Sequence, residues 1–192
     1  MQLFTKEKQY LPLVEAAAAK YNVPVPLILG HIKQESSFNP KAYRAEPQIN
    51  DGSTGLMQVL LNTAKSMDPG ATVEKLYDPA YNIDIGTKYI SKNIQRYPGD
   101  IKSAIAAYNA GSAFKNAQGR YTSGSGKIDV QGYVDKVYDN TLVYQDWLAT
   151  GEKAIGFSYW DLVIPLAIAG IVFYFVWNKN RRKEINDEDH NA

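Results

Sequence analysis

The sequence predicts an all-α, mostly helical domain followed by one C-terminal transmembrane helix. Three observations carry this. Apolar residues recur at three- and four-residue intervals through successive segments, separated by helix stop signals such as Asn22, Pro98-Gly99 and Gly111. No stretch alternates apolar and polar residues convincingly as a strand, and no internal repeat is visible. From Trp160 the composition changes abruptly to a continuous apolar run of membrane-spanning length.

MQLFTKEKQY lacks the charged start, apolar run and small-residue cleavage site of a secretory signal peptide. Helical periodicity begins near Leu11-Pro12, with Pro12 tolerable in a first turn, and runs through VEAAAAKY until Asn22 closes it. A second helix is expected to start around Pro24 and Pro26 and to carry LILGHIKQE. LLNTAKSM, after a loop at 47–54, gives a third helical region. NIDIGTKYISKNIQRY and DIKSAIAAYNAG give two more, with Asp78 in LYDP as a cap before Pro79 and Asn82 as an internal hydrogen-bonder. Residues 112–132, rich in Gly, Ser and Gln, are expected to be loop. YVDKVYDNTLVYQDWL is the last helix of this domain, which is placed at 1–148, with a linker at 149–158.

WDLVIPLAIAGIVFYFVW is apolar except for Asp161. About 18 residues rising roughly 1.5 Å each span about 27 Å, close to the roughly 30 Å core of a bilayer. Trp160 and Trp177 sit where aromatic belts form, and the span is placed at 159–178. The tail, 179–192, is basic and then acidic. Lys179, Arg181, Arg182 and Lys183 follow the span at once, whereas only Lys153 lies near its other end. The positive-inside rule therefore puts the C-terminus in the cytoplasm and the larger domain across the membrane.

Composition narrows the function. Lys and Arg total 21 against 20 for Asp and Glu, a net charge of +1, so there is no electrostatic case for binding nucleic acid. With 0 cysteines there is no disulfide, thiolate metal site or cysteine nucleophile. His31 invites a metal reading, but the one other histidine is His190 in the tail; a half-buried histidine is the expectation and no metal or other cofactor is expected. The 14 tyrosines suit carbohydrate faces, although half-buried core tyrosines account for most of them equally well.

The informative residue is Glu35, in HIKQESSFNP. At roughly 100° per residue, Ile28, Ile32 and Glu35 fall on one stripe, which directs the glutamate inward at the end of its helix. An inward carboxylate loses hydration, which raises its pKa towards the value a general acid needs near neutral pH. Periodicity alone still favours a glutamate that reaches out to solvent or pairs with a lysine.

The wider pattern reverses that balance. ESSFNP, then GLMQ at 55–58, LYDPAYNIDIGTKYI, AAYNAG at 106–111 and YVDKV at 133–137 occur in an order that resembles the soluble lytic transglycosylases, over about residues 11–143. The resemblance implies a lysozyme-like helical fold acting on peptidoglycan glycan strands. It implies that Glu35 is the one catalytic carboxylate, protonating the glycosidic oxygen between N-acetylmuramic acid and N-acetylglucosamine. As carboxylate it would then take the proton from the muramic C6 hydroxyl, whose attack on the anomeric carbon leaves a 1,6-anhydro ring. It further implies substrate contacts from Met57 as a cleft wall, Gln58 as a hydrogen-bond partner, and Tyr108 and Asn109 near the acid. Tyr133 matches a late tyrosine that approaches the acid and helps set its protonation.

One position departs from the pattern. Where the family commonly has a serine, nine residues after the glutamate, this chain has Arg44, and the link to GLMQ is about two residues longer. Arg44 would grip a substrate oxygen, pair with Glu46 or face solvent. Glu46 or Asp51 holding a water would instead make a hydrolytic muramidase, and loss of turnover would leave a peptidoglycan-binding structural protein. The expected setting is a single-pass membrane protein with its catalytic domain on the cell-wall side, either in a phage virion membrane or beside a secretion machine.

Overall fold

The computed structural model describes residues 4–123 and 129–150. The linker, span and tail at 149–192 therefore lie almost wholly outside the described residues, and among those described no helix is long and apolar enough to cross a membrane. Among the described residues seven α-helices dominate: α1 (Thr5–Tyr21), α2 (Val25–Ser36), α3 (Leu61–Met67), α4 (Val73–Leu76), α5 (Pro79–Arg96), α6 (Ile101–Ala110) and α7 (Val130–Thr150). Between α2 and α3 lies a small antiparallel sheet of β1 (Tyr43–Glu46), β2 (Asp51–Thr54) and β3 (Val59–Leu60), in that spatial order. A two-residue hairpin, β4 (Phe114–Lys115) and β5 (Tyr121–Thr122), follows α6.

The helices begin and end where local chemistry dictates. Asn22 turns into the left-handed region to close α1, and Gly111 does the same for α6. The Asp78 carboxylate accepts from the Tyr81 amide at 2.8 Å ahead of Pro79, and Asp100 caps α6 through the Ser103 amide at 3.0 Å. Helix α2 is the centre of the domain. Leu27, Ile28, Leu29, Gly30, His31 and Ile32 are all buried, so it is enclosed on nearly every side. Each fully buried aliphatic side chain contributes about 1.5–3 kcal/mol of the burial free energy. Its main partner is α7, and Gly30 permits the approach: a Cβ there would lie 2.6 Å from Thr141 Oγ1 and 3.0 Å from the Val137 carbonyl oxygen.

Two expectations need correction. The domain is mostly helical as expected but not free of strands, since β1, β2 and β3 form a three-stranded sheet within residues 43–60. These strands are two to four residues long, and β1 is exposed or half-buried along its whole length. Register, not an apolar face, holds them: Tyr43 pairs with Thr54 and Ser53 with Leu60. The expected loop at 112–132 likewise contains β4 and β5, and α7 starts at Val130.

Asn82 ties the sheet to α5. It is 0% exposed; its Oδ1 accepts from the Met57 amide at 2.8 Å, and its Nδ2 donates to the carbonyls of Thr54 and Leu76, both at 2.8 Å. Removing this side chain leaves three buried backbone groups without partners, each costing about 1–3 kcal/mol. Asn82→Ala is therefore expected to lose on the order of 3 kcal/mol or more of stability, seen as a large fall in the chemical denaturation midpoint.

Candidate active site

Glu35 occupies the last turn of α2, and the chain leaves the helix immediately after it. Ser37 caps α2 in the left-handed region, and Phe38 adopts the same region. The strain of two consecutive left-handed residues is held by burial, because the Phe38 ring is packed against Tyr10 and Tyr144. The turn that aims Glu35 is thus anchored by α1 and α7.

The carboxylate is half-buried. Its Oε1 accepts from the Tyr133 hydroxyl at 2.5 Å, while Oε2 has no hydrogen-bond partner among the described residues. Loss of hydration dominates its electrostatics and raises its pKa from 4.5 to about 7, against smaller opposing effects from the Tyr133 hydrogen bond and the positive charge of Arg44. Burial, and then the neighbouring Glu35, push both tyrosine hydroxyls, Tyr108 and Tyr133, well above their ordinary value. They remain neutral donors wherever Glu35 titrates.

The GLMQ segment is fastened to this centre by its backbone. Gly55 sits at φ 79°, with Asn82 Nδ2 and the Leu76 carbonyl only 2.4 Å from where a Cβ would be, so no larger residue fits the turn. Ser36 donates to the Leu56 carbonyl at 2.7 Å, and Tyr108 donates to the Met57 carbonyl at 2.9 Å. Met57 itself is 0% exposed, so its side chain belongs to the core and offers no surface as the expected cleft wall. Its contribution here is the carbonyl that fixes Tyr108. Gln58 Nε2 donates to the carbonyls of Ala42 (3.2 Å) and Gly55 (3.1 Å), which spends the amide nitrogen on the loop and leaves Oε1 as the free polar atom.

Tyr133 and Tyr108 are thus brought to Glu35, and Asn109 follows Tyr108 at the end of α6. The amide oxygen assigned to Asn109 is buried without a hydrogen-bond partner, an arrangement that costs about 1–3 kcal/mol unless something donates to it. Arg44 pairs with Glu46, Nε to Oε1 at 2.6 Å, with its side chain 69% exposed. The two carboxylates considered for holding a water are both occupied. Glu46 also accepts from Gln48 at 2.7 Å, and Asp51 accepts from the amides of Gly52, Leu61 and Asn62, capping α3. Among the described residues no group of three His, Cys, Asp or Glu side chains could hold a metal ion.

The position of His31 was not legible in the sequence. It is 1% exposed rather than half-buried, and its Nδ1 lies 3.0 Å from the Tyr133 hydroxyl. Its place one turn before Glu35 was the available signal, but its partner lies 102 residues away.

The Transglycosylase SLT domain family matches residues 12–131. A membrane-bound lytic murein transglycosylase C of Yersinia enterocolitica is 40% identical, over 54% of this chain and 32% of that protein. A transglycosylase of Enterobacteria phage PRD1 is 35% identical, over 62% of this chain and 42% of that protein. The matched part of the chain therefore spans 32% and 42% of the length of these relatives. Among solved structures, the 70 kDa soluble lytic transglycosylase of Escherichia coli aligns with a TM-score of 0.60 and 28% identity, covering 72% of this chain and 24% of that one. An inactive mutant of a lytic transglycosylase from Pseudomonas aeruginosa aligns at 0.59 and 25%, over 72% of this chain and 24% of that one.

The raised Glu35 pKa carries a stability cost of definite sign. Below about pH 4.5 the carboxyl is neutral whether folded or unfolded; through pH 7 the unfolded chain ionises it more readily, and native stability falls. Glu35→Gln is expected to match the wild type near pH 4 and exceed it at pH 8 by on the order of 2 kcal/mol, allowing for the partial exposure of the side chain. Thermal denaturation at the two pH values measures the difference.

Proposed function

The chain belongs to the Transglycosylase SLT domain family, and from that premise we propose that it is a peptidoglycan lytic transglycosylase with Glu35 as its acid and base. The observation that carries this reading is a carboxylic acid poised at about pH 7, held at Oε1 by Tyr133 and without a partner at Oε2 among the described residues. Such a group loses and regains a proton with little driving force in either direction. In the first step Glu35 gives its proton to the oxygen linking N-acetylmuramic acid to N-acetylglucosamine. In the second, as carboxylate, it takes the proton of the muramic C6 hydroxyl while that oxygen closes on the anomeric carbon. The products are a free 4-hydroxyl and a 1,6-anhydro ring, and no water is consumed.

One carboxylate suffices for this sequence, whereas glycoside hydrolysis usually needs two. The engagement of Glu46 with Arg44 and of Asp51 with α3 supports the transglycosylase over a hydrolytic muramidase. Substrate contacts are assigned to Gln58 Oε1 and to the Tyr108 ring, with Asn109 beside them at the end of α6. Arg44, exposed and close enough to act on Glu35, takes a substrate oxygen with the remaining guanidinium nitrogens while its Nε stays on Glu46.

The apolar run at 159–178 supports a single-pass anchor, with the catalytic domain on the cell-wall side and the basic residues 179–183 inside. A cutter held at a membrane opens the wall locally, which fits entry of phage DNA from a virion membrane or passage of an envelope machine.

Purified protein is expected to clear a peptidoglycan zymogram, and Glu35→Gln to lose about 10²–10⁴-fold in rate. Activity should fall above about pH 7, because the first step needs the protonated acid. Product ends one water lighter than reducing ends are the expected mass signature; reducing ends would show a muramidase, and absence of cutting a binding protein. A chain truncated after Thr150 should still cut isolated sacculi but partition into the soluble fraction, whereas the full chain stays with the membrane.

A further inference from the structure

The Tyr133 hydroxyl oxygen lies between two partners, 2.5 Å from Glu35 Oε1 and 3.0 Å from His31 Nδ1. Two hydrogen bonds need two hydrogens, and the hydroxyl supplies one. When Glu35 is a carboxylate it has none to give, so the second must come from His31. When Glu35 is protonated, two arrangements compete. Its proton either sits on Oε1 and points back at Tyr133, which then donates to His31, or it sits on Oε2, the oxygen that Tyr133 leaves unpartnered. Only the second arrangement puts the proton where a glycosidic oxygen can receive it.

We propose that His31 is the positioning residue that decides between them: with its hydrogen on Nδ1 it donates to the Tyr133 oxygen, turns the tyrosine hydrogen towards Glu35 Oε1, and confines the acid proton to Oε2. The inference rests on Glu35 being the acid. The same arrangement serves both halves of the reaction, because Tyr133 keeps its hydrogen on Oε1 while Oε2 loses and regains the travelling proton.

The surroundings suit this role. The imidazole is 1% exposed, and burial lowers its pKa to about 3, so it stays neutral wherever Glu35 titrates and carries a single N–H. Its ring packs against Tyr108 at 4.5 Å between centroids, and the Tyr108 hydroxyl is committed to the Met57 carbonyl and does not compete for Nδ1. The groups that act on Glu35 are His31 on its own helix, acting through Tyr133; Tyr133 on α7; Tyr108 on α6, with Tyr89 of α5 behind it; and Arg44 on β1.

His31→Leu removes the donor and His31→Asn places an amide N–H near the position of Nδ1. The leucine variant is expected to lose about tenfold in kcat, the worth of one hydrogen bond, with KM changed less than about twofold. Its high-pH limb should move upward, because a weaker Tyr133 bond stabilises the carboxylate less. The asparagine variant should recover most of the rate and the wild-type limb. Nitrogen-15 spectra of the wild-type protein read the tautomer directly, since the chain has 2 histidines and His190→Gln assigns them. Hydrogen on Nδ1 supports the proposal, and hydrogen on Nε2 overturns it even should His31→Leu fail to fold. A leucine variant with wild-type rate and pH profile, or an asparagine variant no better than leucine, overturns it as well. If Glu35→Gln cuts at the wild-type rate, the reading of the site itself fails; if that variant is dead while His31→Leu is unimpaired, only the role of His31 falls.

Discussion

A carboxylate taken out of water is the constraint around which this domain is organised. Glu35 belongs to the most enclosed of the described helices, and its ionised form is opposed by lost hydration that one hydrogen bond and the positive charge of Arg44 only partly offset. The bond comes from Tyr133, 98 residues away on α7. It exists because α2 and α7 pack closely enough, at Gly30, to bring the two side chains together. Core packing and the protonation of Glu35 are therefore one arrangement, and neither helix can shift without altering that carboxyl group.

The loop that faces the acid is held by the same economy. Leu56, Met57 and Gly55 are fixed through backbone groups: Ser36 and Tyr108 donate to two of their carbonyls, Gln58 to the third, and Asn82 receives the Met57 amide. Side chains that look like substrate ligands in a linear motif are in part spent on this fastening. Under the proposed role of Glu35, rigidity of this kind matters because a proton donor misplaced by about 1 Å loses much of its effect.

The sequence announced those features that follow local rules. Asn22, Asp78 and Gly111 mark helix ends because capping chemistry is local, and the Ile28–Ile32–Glu35 stripe aimed the glutamate because helical periodicity is local too. The strands stayed hidden, since β1 and β2 are ordered by register and by Asp51 rather than by an alternating apolar face. Tyr133 came from family resemblance, although it lies two residues beyond the segment that matches the family. The burial of Met57, the commitment of Gln58 Nε2 and the contact of His31 with Tyr133 depend on residues brought together from distant parts of the chain, and no spacing rule carries such information.

Helix α2 ends at Ser36, one residue after the acid. Its peptide units are aligned head to tail, so the end at which Glu35 sits carries roughly half a negative elementary charge. The helix therefore repels ionisation of the side chain it presents, independently of any solvent exclusion around it. Extending α2 by a turn would move this charge past the carboxylate and weaken the repulsion without replacing a single atom of the site. The stop at Ser36 and Ser37 is in that sense an electrical setting as well as a boundary.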